Sequence, residues 1–435
     1  MKSNFVCRVC IPFIGLFVMT SVAVGQEALT FRRAVELALA HSDEMALSQA
    51  DEQRAYQTYR EARASYVPKV AVGSDVGYAH GFPLSLEGSA PTLFSVTTQS
   101  SIWNSAQREF VGASKADWRA SKSQGRDQRA QVIMDASVTY IDLNRWESRL
   151  PILRTELSVA ENMEYAAAER VKEGIDKGIE RTKAQLVEAQ VRMQLAEAEG
   201  AADILRTRLS QLTGQPPNAI KTVRESIPIL RKDSSDNETV SRVVHSSPAV
   251  ESAEQAAAAK QLRAKGEHKA LYPTADFAAQ YGLINTSLTN FEQFFVPHSF
   301  QPHNVTVGLV LRFPFFDTSQ RARAAAADAE AIRSRKEVEQ IKNKVALDGL
   351  RLQHNVEQLV AARDVADLRY RLAENEVEAA QARMDAESGT QRELQESAIR
   401  AGERTLERIN TDFELQRTQV QLLRITDQLE RWALP

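Results

Sequence analysis

Apolar positions in this chain fall into two rhythms. Val191, Leu195, Ala198, Ala202, Leu205, Leu209 and Leu212 recur at spacings of three and four without a gap, the signature of one buried helical stripe. Val338, Ile341, Val345, Leu352, Val356 and Leu359 continue the same rhythm, interrupted once where Asp348 and Gly349 fall. Such spacing with Ala on the seam predicts closely packed, coiled-coil-like helices. No proline follows Pro314 until the C-terminal Pro435. The helical stretches break at Glu173-Gly174 and Lys177-Gly178, at Thr213-Gly214, and at Ser388-Gly389-Thr390. Each arm is then roughly 65 residues, about 100 Å at 1.5 Å per residue. Pro151 is expected to kink or interrupt the first of them.

The second rhythm has period two. Val70, Val72, Val76 and Tyr78 alternate with Ala71, Gly73, Asp75 and Gly77, and residues 93–102 carry a similar alternation. In the second half, residues 277–284 and 305–313 repeat it. Four strands of eight to ten residues are therefore expected, each with an apolar and a polar or small face, as in a transmembrane barrel. Two soluble hairpins capping a helical bundle would satisfy the same pattern. Four strands cannot close a barrel alone, so a membrane location requires several chains to share one. On that reading Asp75, Gln99, Gln280 and Arg312 face the lumen. Arg312 facing lipid near the midplane would cost about 2–4 kcal/mol, which fixes the expected phase of its strand.

The halves follow the same order: amphipathic helix, two strands, long hairpin. Residues 34–66 precede Val67-Pro68, and residues 240–271 precede Tyr272-Pro273. His41-Ser42 pairs with His245-Ser246 at an offset of about two hundred residues. This predicts an internal duplication, with residues 26–237 and 238–435 as its units. Residues 1–25 read as a signal peptide. Lys2 and Arg8 precede an apolar stretch, and Ala23-Val24-Gly25 places small residues at a cleavage site before Gln26.

Composition narrows the function. Of 435 residues, 43% are hydrophobic and 26% charged, with 54 Lys and Arg against 57 Asp and Glu, so a phosphate-binding surface is not the chain's main feature. Both cysteines, Cys7 and Cys10, lie in the signal segment, so no disulfide framework is expected beyond it. No helical membrane span is expected after the signal. The seven histidines show no zinc spacing, although His298 and His303 share an aromatic segment with Phe291, Phe294, Phe295 and Phe300. That segment reads as an outer loop, with residues 82–91 its shorter partner. Phosphate-loop, dinucleotide and esterase motifs are missing, so neither a cofactor nor an enzymatic activity is expected.

The chain resembles the TolC-like outer-membrane efflux family. The resemblance rests on Leu29-Thr30-Phe31, Ala34-Val35-Glu36-Leu37-Ala38, Ala62-Arg63-Ala64 leading to Pro68, Arg170-Val171-Lys172-Glu173-Gly174, Glu188-Ala189-Gln190, and Val307-Gly308-Leu309 running to Phe313-Pro314-Phe315-Phe316-Asp317. It implies a mainly α fold with a β-barrel portion. Long antiparallel hairpins would form an α-barrel tunnel, and four strands per chain would enter the shared twelve-stranded barrel of a homotrimer. It also implies an outer-membrane location, with lipid around the barrel and a large periplasmic portion. The partners would be a periplasmic adaptor and an inner-membrane pump, in a tripartite efflux or type I secretion system. Nucleic acid is not an expected partner. The first half departs from the pattern at Ser101-Ile102-Trp103-Asn104-Ser105, where the second has its Phe-Pro junction. Relatives carry a ring of aspartates after the Gly-Thr turn, whereas those positions here are Gln395 and Ala398. Glu393 and Glu396 lie nearby, and Glu180 occupies a similar place in the first half. These side chains are gate candidates, either as a threefold cation-binding ring or as ordinary solvated helix charges. A soluble periplasmic coiled-coil adaptor is the alternative function, but it would carry one hairpin rather than two.

Overall fold

The computed structural model describes residues 28–81, 92–230, 247–295, 297, 299 and 301–435. The signal peptide, the loop at 82–91, the boundary between the proposed units, the His245-Ser246 pair, His298 and Phe300 lie outside the described residues. The chain begins with α1 (Phe31–His41) and α2 (Asp43–Ala64). The sequence suggested one helix here. Ser42 divides it, in extended conformation, with its Oγ accepting a hydrogen bond from the Met45 backbone N–H. Strands β1 (Lys69–Gly73) and β2 (Thr92–Trp103) follow, then the arm α3 (Ser105–Lys172) and its return helix α4 (Gly178–Thr213). The second half gives α5 (Pro248–Lys269), β3 (Thr274–Ile284), β4 (His303–Arg312), the arm α6 (Thr318–Asp385), its return α7 (Gln391–Ile425) and a short α8 (Leu429–Ala433).

Both arms have 68 residues, about 100 Å of helix. α3 continues through Pro151 without interruption. α4 ends where Gly214 adopts φ 71°, a conformation that glycine takes without steric cost, and its backbone N–H bonds the Ser210 carbonyl. The arms start alike. Asn104 caps α3 by accepting from the Gln107 N–H at 3.1 Å, and Asp317 caps α6 through the Gln320 N–H at 2.8 Å. The Gln107 side chain then donates to the Ala62 carbonyl, and that of Gln320 to the Glu267 carbonyl.

Packing along the arms is carried by small residues at heptad spacing: Ala184, Val191 and Ala198 in α4, and Ala366, Ala373 and Ala380 in α6. The stripe expected in α6 is corrected. Val338 is buried, but Ile341, Val345, Leu352, Val356 and Leu359 are only half-buried. Alanine lets two helices approach closely, and the larger side chains are pushed to the flanks. Next to the sheet the helical layer runs α2, α3, α5, α6; toward the tip it runs α4, α3, α7, α6. Around the middle of α3 a compact core forms from Phe31, Val35, Ile133, Tyr140, Leu143, Leu209, Phe413 and Leu429.

Candidate functional site

The four strands form one antiparallel sheet in the order β1-β2-β3-β4. Its register sorts the side chains. Ala71, Thr97, Gln280 and Thr306 stand in one row, Lys69, Gln99, Ala278 and Gly308 in the next, and Thr274 opposite Arg312. Cross-strand neighbours share a face, and alternate residues along a strand share it too. Gln99, Gln280 and Arg312 are thus together on the polar face, with Asp276 4.0 Å from the Arg312 guanidinium. The opposite face carries Val70, Val72, Val96, Phe277, Tyr281, Val305, Val307, Leu309 and Leu311. Val305, Val307 and Leu309 are 63–66% exposed in the single chain. Ten strand residues tilted near 40° span about 25 Å, the height of an apolar membrane band.

Asp75 is the exception among the four lumen candidates. β1 ends at Gly73, two residues before it, so the strand expected to reach Tyr78 is shorter. The Asp75 N–H still bonds the Thr92 carbonyl at 2.9 Å, and the Thr92 hydroxyl reaches its carboxylate at 3.3 Å. Asp75 belongs to the turn beyond the ladder. Val76 and Tyr78, beyond the ladder too, are largely exposed.

The sheet meets the helices at an aromatic collar. A register shift between Ser101 and Trp103 pairs Trp103 with Ala275, which moves the indole from the polar to the apolar side. Phe313, Phe315 and Phe316 occupy the corresponding end of β4, all exposed. A bulge in the first half thus does what the Phe-Pro junction does in the second, setting aromatic rings at the boundary between sheet and helices.

At the far end, the tip candidates gather around arginines. Arg392 on the first turn of α7 lies 2.8 Å from Glu180 on α4 and 2.9 Å from Glu396. Glu180 also pairs with Lys183 at 2.9 Å. Lys183, then Arg392, hold its carboxyl below the ordinary glutamate range, and Glu396 and Glu180 raise the Arg392 guanidinium. Glu393 pairs separately with Arg383 at 2.6 Å. Arg170 reaches Asp176 across the first hairpin turn at 2.7 Å. Glu180 and Glu396 are thus brought together through one cation. Gln395, half-buried, sits between Glu393 and Glu396 on α7. A cavity of about 560 Å³ between α6 and α7 opens nearby, lined by Arg369, Glu376, Arg383, Glu393, Ser397 and Arg400 among others. No group of three metal-ligating side chains occurs among the described residues, and none of the described helices is long and apolar enough to cross a membrane.

Residues 34–215 match the outer membrane efflux protein family. That match supports the resemblance to the TolC-like efflux family. The fold agrees over nearly the whole length. A membrane protein from Pseudomonas aeruginosa superposes with a TM-score of 0.76 at 17% identity, covering 92% of this chain and 95% of that one. The Campylobacter jejuni CmeC outer membrane channel gives 0.77 at 14% identity, covering 92% and 86%. The open state of the Neisseria gonorrhoeae MtrE outer membrane channel gives 0.74 at 14% identity, covering 93% and 90%. No functionally curated protein matches the sequence.

The solved structures it resembles include outer membrane channels, and the fold is shared with them. Sequence reasoning found the glutamates of the tip but missed Arg392 and Arg383, which pair with them. The signal was present: Arg392 and Glu396 stand at i and i+4, the spacing of a helical ion pair. It also missed Tyr140, whose hydroxyl donates to the Leu29 carbonyl at 2.6 Å and accepts from the Val223 N–H at 2.8 Å. Nothing in the local pattern marks that residue, because its partners are 111 and 83 positions away.

Proposed function

We propose that three copies of this chain close a twelve-stranded barrel and a helical tunnel, forming the passive export duct of a tripartite efflux system. One observation carries the reading: the chain is open on both flanks at both levels. Among the described residues β1 and β4 are each paired on one side only, and an open sheet edge is not tolerated in lipid. On the helices, Ile179, Leu186 and Met193 form an exposed apolar stripe at heptad spacing on α4, and Val365, Leu368 and Leu372 form one on α6. These are the two ends of the tip-side layer, so α6 of one copy fits against α4 of the next. Burying each such side chain is worth about 1.5–3 kcal/mol.

In this assembly the polar sheet face with Gln99, Gln280 and Arg312 lines the pore, and the Val and Leu face meets lipid. The mature chain starts after a removed signal at residues 1–25, and its two units, 26–237 and 238–435, alternate around the axis. A periplasmic adaptor and an inner-membrane pump supply energy and selection, since the chain carries no nucleotide-binding motif. Glu180, Glu393, Gln395 and Glu396 stand at the periplasmic constriction. Extraction from outer membranes followed by gel electrophoresis with and without heating tests the assembly. The expected result is a heat-sensitive trimer that conducts ions in a planar bilayer, and that Leu186→Glu with Leu372→Glu weakens. Release of a monomer by osmotic shock overturns the proposal in favour of a soluble adaptor.

A further inference from the structure

Within one chain, the first hairpin meets the second along α3 and α7. Part of this seam is apolar, with Leu153 of α3 and Leu406 of α7 packed together and Ala198 of α4 beside them. One turn nearer the tip, α3 places Glu156 in the seam. It is 6% exposed, and its Oε1 is buried without a hydrogen-bond partner among the described residues. The carboxyl rests against the backbone of Gly402, in the space that any side chain at that position would fill. A glycine inside a helix is unfavourable relative to alanine. Here it provides the seat for an acid.

The charges around this seat do not neutralise it. On α7 the neighbour is Glu403, a second carboxylate, and on α3 it is Arg149. Arg149 makes no ion pair with Glu156: it donates to Asn410 at 3.2 Å and lies 4.4 Å over the Trp146 ring, its Nε is buried without a partner, and its charge is felt by Arg145, Glu197 and, at a distance, Glu156. A buried carboxylate with a like charge beside it and no direct cation is costly, whereas its neutral form is not. Burial first, and Glu403 second, push the Glu156 carboxyl up to about 7.

We propose that Glu156 is a proton-operated latch between the two hairpins. Protonated, it lets α3 and α7 close over Gly402; ionised, it drives them apart against Glu403. The contact lies inside a single chain and does not depend on the trimer. Its consequence for transport, arms that tighten in an acidic periplasm and loosen in an alkaline one, rests on the proposed duct.

Hydrogen exchange of the full-length protein in detergent, over segments 150–160 and 398–408, tests the latch. The series runs from about pH 5.5 to 8.5, corrected for intrinsic exchange rates. Protection in the wild type falls several-fold as pH rises through neutrality. Glu156→Gln stays protected across the range, and Glu403→Gln moves the midpoint to lower pH because the repelling charge is gone. A Glu156→Gln protein with the wild-type pH response overturns the proposal, as does a midpoint that Glu403→Gln leaves in place. Conductance and heat-sensitive migration of the same samples report on the duct separately, so a working trimer without the pH response refutes the latch alone.

Discussion

Arg392 of the second hairpin reaches across to Glu180 of the first at 2.8 Å, the contact that ties the two arms together at their tips. Arg392 is exposed and Glu180 half-buried at the surface, so the pair adds little to the stability of the fold. Its effect is positional. Arg392→Ala is expected to leave thermal unfolding unchanged and to raise open probability in a planar bilayer, with Glu180→Gln giving a smaller change in the same direction. Unaltered conductance in both variants would remove this pair from the gate.

The same pair has a pH response opposite to that of Glu156. Glu180 is held below its ordinary value by Lys183 and Arg392. A lowered carboxyl contributes above its unfolded value of 4.5, and the contribution is lost as pH falls through the folded value. Glu156 is raised, so its ionised form penalises the native state progressively from about pH 4.5 upward, in full above about 7. Acid therefore unfastens the tip and fastens the seam. Conductance of Glu156→Gln, recorded as pH falls below 4.5, isolates the tip: it is expected to rise, and a flat record there rejects the assignment.

Tyr140 holds the middle of the molecule. Its ring lies edge-on to Phe31 at 5.5 Å, while its hydroxyl joins Leu29 and Val223, two segments far apart in the chain. Tyr140→Phe keeps the ring and leaves a buried N–H and carbonyl to seek other partners, at a cost of about 1–3 kcal/mol. Tyr140→Ala also opens a cavity and costs about 3–5 kcal/mol. Thermal melting of the two variants should rank in that order. A Phe variant as stable as wild type would mean that Ser226, 3.1 Å from the hydroxyl, takes over its bonds.

Why some of this was legible in the sequence and some was not follows from the range of each interaction. Alternation in residues 305–313 revealed β4 because strand faces are set by adjacent residues, and Gly214 marked the end of α4 for an equally local reason. The β1 boundary was not legible, since residues after Gly73 would pair with strands that the sequence pattern cannot place. The helix break at Ser42 was readable in principle, because Ser-Asp-Glu is an N-cap sequence, but continuous helical patterning across it concealed the break. Glu156 was invisible for a different reason: an isolated Glu on a charged helix looks like any other. Its burial depends on Gly402, 246 positions away.

Leu309 and Thr97 test which face of the sheet meets lipid. Register places Leu309 on the apolar face and Thr97 on the polar one. Leu309→Arg puts a cation toward hydrocarbon at a cost of about 2–4 kcal/mol near the midplane, and should lower the yield of heat-sensitive trimer. Thr97→Arg should assemble normally and shift ion selectivity toward anions. The opposite pattern would invert the sheet.

Asn104 and Asp317 start the two arms with one device, a side-chain oxygen accepting from the backbone N–H three residues on. Asn104→Ala removes it and should cost about 1 kcal/mol, whereas Asn104→Asp should be tolerated, since aspartate does the same work in the second half. The aspartate also places negative charge at the positive end of a 68-residue helix. If the cap serves only stability, chemical denaturation shows the loss while conductance is unchanged. If it also fixes the angle at which the arm leaves the barrel, Asn104→Ala shortens open lifetimes in a planar bilayer and Asn104→Asp restores them. The geometry favours the second outcome. Gln107, whose N–H the cap holds, donates its side chain to the Ala62 carbonyl at 3.0 Å, so loosening the first turn of α3 also loosens its grip on α2.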